Sequence, residues 1–150
     1  MAELTINRVL DADLATVFDF ITKSEHLLEW WGPEGISLPD RALDFTKTGP
    51  WHSVMRRPDG SEMKVSGQVT HVKAPSSVGF TWARHDETGK RGDESHVTIS
   101  LRAAAGGGTE FSLHHQELVS EEAAAAHNAG WTSSVRKLEK MAAREEQESV

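Results

Sequence analysis

The chain has 150 residues, with 16 Lys and Arg against 23 Asp and Glu for a formal charge of −7, and neither cysteine nor tyrosine. That length suits one domain and buries roughly 68–70% of the unfolded surface, enough for one core without staples. Missing cysteine excludes disulfides, cysteine zinc sites and thiol catalysis, and the negative charge disfavours nucleic acid and anionic membrane surfaces as partners.

Glu3 to Leu10 alternates, with Leu4 and Ile6 opposite Thr5, Asn7 and Val9, and predicts a first strand. Asp11 or Asp13 offers an N-cap, and Leu14, Val17, Phe18 and Ile21 follow at helical spacing. Ser24 opens a second short helix with Leu27, Leu28 and Trp31 on one side, which Gly32-Pro33 stops. Extended runs then follow at Ile36 to Phe45, Trp51 to Arg57, Met63 to Val72, Val78 to Arg84, His96 to Ala103 and Thr109 to Leu118. Turn residues separate them, among them Pro58-Asp59-Gly60, where proline presets φ and glycine supplies φ > 0. From Ser120 there is no proline. Acids fill the first turn, and Ala124, His127, Trp131, Val135, Leu138 and Met141 recur every three or four residues, predicting one long amphipathic helix. The charged tail, 144–150, is expected to fray.

A run of strands followed by a helix argues α+β, with the helix covering the apolar face of an antiparallel sheet. No repeat, linker or second domain interrupts residues 1–150. Met1 to Thr5 shows no signal-peptide pattern and no apolar run approaches the ~20 residues of a membrane span, so a cytoplasmic protein with no membrane partner is expected.

Several short stretches occur together in a fixed order: Glu29-Trp30-Trp31-Gly32-Pro33, Arg57-Pro58-Asp59-Gly60, Gly67-Gln68-Val69, Thr81-Trp82, Gly107-Gly108-Thr109-Glu110-Phe111-Ser112-Leu113 ending at His115, and Gly130-Trp131 with Ser134. Over about Glu3 to Leu138 the chain resembles bacterial members of the activator-of-heat-shock-protein-90-ATPase family, within the START-like, birch-pollen-allergen-like superfamily. The resemblance implies a helix-grip fold: a curved antiparallel sheet of about six to seven strands around a long C-terminal helix, with two short helices after the first strand. It also implies a hydrophobic cavity between sheet and helix that takes a lipid-like or aromatic molecule. The family name implies, as an alternative, a chaperone partner. The eukaryotic namesake acts on that chaperone's ATPase with an additional N-terminal domain for which these residues show no counterpart. A cyclase- or hydrolase-type activity in the same cavity is the third possibility.

The residues expected near the cavity are Trp31, Trp51, Trp82, Phe111, Leu113, His115, Trp131 and Val135. The tryptophans either line a pocket or fill it. By alternation His115 shares the inner face with Phe111 and Leu113 and needs a polar partner there. It can orient a ligand, act as acid or base, or be satisfied by backbone or by Glu117. Gly130, in mid-helix, costs about 1 kcal/mol relative to alanine, so either a ligand or a sheet contact is expected against it. Arg56 and Arg57 stand at a hairpin end, exposed or clamping an anion. His85, Asp86, Glu87, Asp93 and His96 gather around one loop without tight ligand spacing and predict a solvated hairpin, so neither metal nor cofactor is expected. No nucleophile elbow, HExxH or dinucleotide fingerprint occurs, and no residue is assigned a catalytic role. The partner expected is a small apolar molecule, with the chain a monomer or homodimer.

Overall fold

Alternating apolar residues become a single seven-stranded antiparallel sheet in a computed structural model that describes residues 2–148. In chain order the elements are β1 (Ala2–Leu10), α1 (Leu14–Thr22), α2 (Ser24–Trp30), β2 (Ser37–Ala42), β3 (Gly49–Arg56), β4 (Glu62–Lys73), β5 (Ser77–Arg84), β6 (Ser95–Ala103), β7 (Thr109–Leu118) and α3 (Glu121–Glu148). The strands lie in the order β1-β7-β6-β5-β4-β3-β2. The first strand therefore pairs with the last, and the hairpins between carry the sheet out to β2. The two short helices follow β1 and the long helix follows β7, as the helix-grip architecture requires.

Local chemistry sets the element ends. Asp13 caps α1 by accepting the Thr16 N–H at 2.8 Å, and hydrogen bonding from the Thr16 side chain and then from that N–H holds its carboxyl below the usual carboxylate range. Ser120 caps α3 by accepting the Ala123 N–H at 3.1 Å, with Glu121 and Glu122 in the first turn, where the helix dipole favours acids. The helix runs on to Glu148, through most of the tail expected to fray; Ser149 and Val150 lie outside the described residues.

One boundary differs from the sequence expectation. Trp31 is not a helical residue: α2 ends at Trp30, and Trp31 turns out into extended backbone at φ −65° and ψ 132°. The helix thus ends between two tryptophans and sends them to different places. Trp30 packs beneath α1, its indole donating to the Phe20 carbonyl at 2.8 Å. Trp31 enters the grip itself and donates to Ser53 Oγ at 3.0 Å.

The inner face of the sheet follows the period of two. On β7, Thr109, Phe111, Leu113 and His115 are buried in succession. A bulge then re-phases the strand. Ala2 faces Leu118 while Leu4 faces His115, so β7 carries one residue more than β1 over that interval, and Glu117 takes φ 65°. Glu117 is thereby turned outward and Leu118 inward. From α3, Trp131, Val135, Leu138 and Met141 enter the core, where each large side chain is worth roughly 1.5–3 kcal/mol on full burial.

Candidate functional site

The space between α3 and the sheet is filled at one end and hollow at the other. At the filled end Trp31 is the hub. Its ring meets Phe45 edge-on at 5.6 Å, Trp51 at 5.3 Å and Trp131 at 5.8 Å, while Phe45 and Phe80 lie 4.7 Å apart. Offset and edge contacts of this kind add about 0.5–1.5 kcal/mol a pair beyond area burial. Trp51 reaches over Gly67 on the neighbouring strand and donates to the Thr81 carbonyl on the strand beyond, at 3.1 Å. A Cβ at Gly67 would stand 2.0 Å from that same oxygen, so only glycine leaves the path open.

At the hollow end is a cavity of about 300 Å³. Trp31, Trp82 and Trp131 form its aromatic wall, Met55, Met63 and Val65 its sheet floor, and Ala126, His127, Gly130 and Ser134 its helix side. Gly32 and Pro33 close one flank, and Arg57 and Arg84 also face it. Of the residues expected near a cavity, Trp31, Trp82 and Trp131 line this one. Trp51, Phe111, Leu113, His115 and Val135 do not; they are buried in the packed core.

His115 sits one layer behind the wall, fully buried, in a hydrogen-bonded chain. The Trp131 indole donates to its Nδ1 at 3.0 Å, and its Nε2 lies 2.7 Å from Ser95 Oγ, which in turn donates to the Trp82 carbonyl at 3.3 Å. An indole nitrogen can only donate, so Nδ1 must be the bare acceptor and Nε2 must carry the proton toward Ser95. The imidazole is therefore neutral. Burial, with smaller repulsion from His127, His96 and His114, lowers its pKa to about 3. Its polar partners are Trp131 and Ser95. Glu117, expected from sequence as an alternative partner, is carried to the surface by the bulge. With both nitrogens engaged and no cavity contact, His115 fixes the Trp131 and Trp82 walls in register rather than presenting a free acid or base.

His127 covers the opposite side, its ring 4.6 Å from that of His115 and 5.8 Å from Trp82. Burial and then the nearby Arg84 charge push its pKa down, so it is uncharged at neutral pH. Four indole N–H groups, those of Trp30, Trp31, Trp51 and Trp131, have protein acceptors. That of Trp82, on the cavity wall, has none among the described residues.

Gly130 does not make the sheet contact that was one of the two expectations for it. A Cβ there would find only Pro33 Cγ, at 3.8 Å, and otherwise the cavity. The hairpin residues weighed as a metal set are dispersed. His85 lies 2.7 Å from Ser66 Oγ, Asp86 accepts from Thr88 and Lys90, and among the described residues no three His, Asp or Glu side chains could share an ion. No helix among the described residues is long and apolar enough to cross a membrane.

Sequence inspection missed Arg84, Met55, Met63 and the cavity-side role of His127. The signal was present for Arg84 and Met55. Extending the alternation of β5 past Phe80 and Trp82 reaches Arg84, and that of β3 past Trp51 and Ser53 reaches Met55 and then Arg57.

A sheet gripping a long helix over an aromatic-walled cavity defines a START-like protein. The family described as "Activator of Hsp90 ATPase homolog 1-like protein" matches residues 11–143, and the chain belongs to that family. The crystal structure of an AHSA1 protein from Silicibacter pomeroyi is similar at 44% identity and TM-score 0.91, covering 96% of this chain and 99% of that one. A Chromobacterium violaceum protein at 17% identity and TM-score 0.82 covers 93% of this chain and 96% of its own. An Arthrobacter aurescens protein at 23% and 0.80 covers 95% and 86%. These two share the fold alone. No curated protein matches the chain.

Proposed function

We propose that the protein binds one small, flat, mostly apolar molecule in the cavity between α3 and the sheet. The observation that carries this is the helix glycine. Gly130 gives up about 1 kcal/mol of helix propensity at a place where no neighbouring atom forbids a methyl group, and the space so kept opens onto the indoles of Trp31, Trp82 and Trp131. A volume of about 300 Å³ is at the small end of ligand sites, which are mostly apolar with a few polar groups, here the Trp82 N–H and His127. Membership of the family accords equally with a chaperone partner. The large exposed hydrophobics among the described residues, Val9 and Val119, stand at opposite ends of the β1–β7 pair and offer no shared patch for one.

Quenching of the wall tryptophans by planar aromatic and short-chain lipid probes tests the proposal. One saturable site is expected, and Gly130→Leu, which fills the cavity from the helix side, should abolish it. A panel that gives no saturable binding, or binding that Gly130→Leu leaves intact, would overturn it.

A further inference from the structure

We infer that the molecule accepted is an amphiphilic carboxylate, with its flat apolar body against Trp31, Trp82 and Trp131 and its acidic group at Arg57 and Arg84; this rests on the cavity proposal above. The inner face of each strand continues past the core at this end. Trp51, Ser53 and Met55 on β3 are followed by Arg57, and Phe80 and Trp82 on β5 by Arg84, with Met63 of β4 between them. Two arginines thus border one apolar hollow that no carboxylate lines.

The rest of the molecule makes that imbalance unusual. The chain carries a net charge of −7, and Arg8, Arg56, Arg91, Arg102, Arg136 and Arg144 each pair with a carboxylate. Among the described residues Arg57 and Arg84 pair with none, and neither does Arg41, which donates to the Leu38 carbonyl away from the cavity. Arg57 donates weakly to Ser61 Oγ at 3.3 Å and approaches Met63 Sδ at 4.0 Å. Asp59, in the adjoining turn, is already accepting from the Ser61 N–H and hydroxyl. Arg84 also borders two separate hollows, one with Glu62, Asp86 and Glu87 and one with Asp93 and Glu117, but forms no ion pair with any of them. His127 is uncharged and adds no third cation. Arginines beside an apolar, partly dehydrated wall suit a planar carboxylate, because the fork of N–H donors matches its two oxygens.

The two arginines are exposed, so replacing each by methionine keeps the stem and leaves the core alone. Calorimetric titration of the wild type with 2-naphthoate and with neutral 2-naphthamide compares charge at constant shape. The acid should bind about tenfold more tightly or better, and more weakly as salt rises. The Arg57→Met, Arg84→Met double variant, checked for an unchanged melting temperature, should lose that preference while still binding the amide. Equal binding of acid and amide to the wild type, or a preference that survives in the double variant, would overturn the carboxylate inference and leave the cavity proposal standing. Binding of neither probe overturns both.

Discussion

The two ends of the sheet–helix interface are made of the same materials and differ in what the helix offers them. At the filled end Trp51 and Phe80 of the sheet, with Phe45 from the β2–β3 connection, close around Trp31, while Val135 and Leu138 of α3 are fully buried. At the hollow end α3 presents Gly130 and Ala126, and the sheet answers with Met55, Met63 and two arginines. Aromatic residues therefore do not by themselves mark a pocket. Trp51 and Trp31 are alike in size and burial, but Trp51 is walled in on every side and Trp31 has one edge on open space. The open space at Trp31 lies where α3 has Gly130 and Ala126.

The comparison is broken most severely from the filled end. Gly67→Ala places a methyl group 2.0 Å from the Thr81 carbonyl oxygen and 2.6 Å from its carbon, both backbone atoms in a paired sheet. The expected loss is more than about 3 kcal/mol, read from the urea midpoint. A loss under about 1 kcal/mol would mean that the β4–β5 ladder yields more readily than its geometry implies.

His115 gives the next largest effect, and its sign can be worked out. The folded imidazole stays neutral down to about pH 3, whereas in the unfolded chain it takes up a proton near the ordinary value of 6.5. Between those values the unfolded state binds more protons, so stability is full above about pH 6.5 and falls as pH drops. From pH 7 to pH 5 this one group should cost about 1–2 kcal/mol. The same urea titration on His115→Gln should show a shallower slope, the remainder belonging to His127, whose shift has the same direction. Parallel slopes for the two proteins would exclude His115 as the source. Asp13, Asp44, Asp59 and Asp86, all lowered by local hydrogen bonds, titrate below this window and do not blur it.

Trp131→Phe joins the two ends, since that indole both walls the cavity and supplies the donor to His115. Removing the N–H leaves Nδ1 a buried acceptor without a partner, at a cost of about 1 kcal/mol at pH 7. The bare nitrogen can then take a proton more easily, so the acid loss should also become less steep than in the wild type. A variant that loses stability but keeps the full slope would show that burial alone holds His115 neutral.

Much of this arrangement was legible beforehand, and the exceptions have a common cause. The strands were readable because an inner face covered by one helix forces strict alternation, and the long helix because its apolar stripe repeats every three or four residues. The bulge at Glu117 was not, since nothing local distinguishes Glu117 from Gln116 as the residue left over. Trp31 reads from sequence as a helical residue beside Leu27 and Leu28, because the break before it depends on where Trp31 finds Ser53, a contact across 22 positions. Sorting the tryptophans into wall and filling was likewise out of reach. It depends on the point along α3 at which the helix crosses each strand, which no periodicity encodes.

Gly130→Ala has the smallest expected effect and the opposite sign, and it separates structure from use at the hollow end. A buried glycine that avoided a clash would make any substitution costly, as at Gly67. Here the nearest atom to an added methyl group is Pro33 Cγ at ordinary contact distance, so the helix should gain propensity. The variant should be more stable by about 0.5–1 kcal/mol, raising the melting temperature by a few degrees. Its methyl group occupies cavity space, so affinity for an aromatic probe should fall severalfold in the same protein. Stability and binding moving in opposite directions is the signature of a residue kept for its emptiness. If alanine stabilised the helix without weakening the probe, the cavity would have no claim on Gly130, and the filled and hollow ends would differ in packing alone.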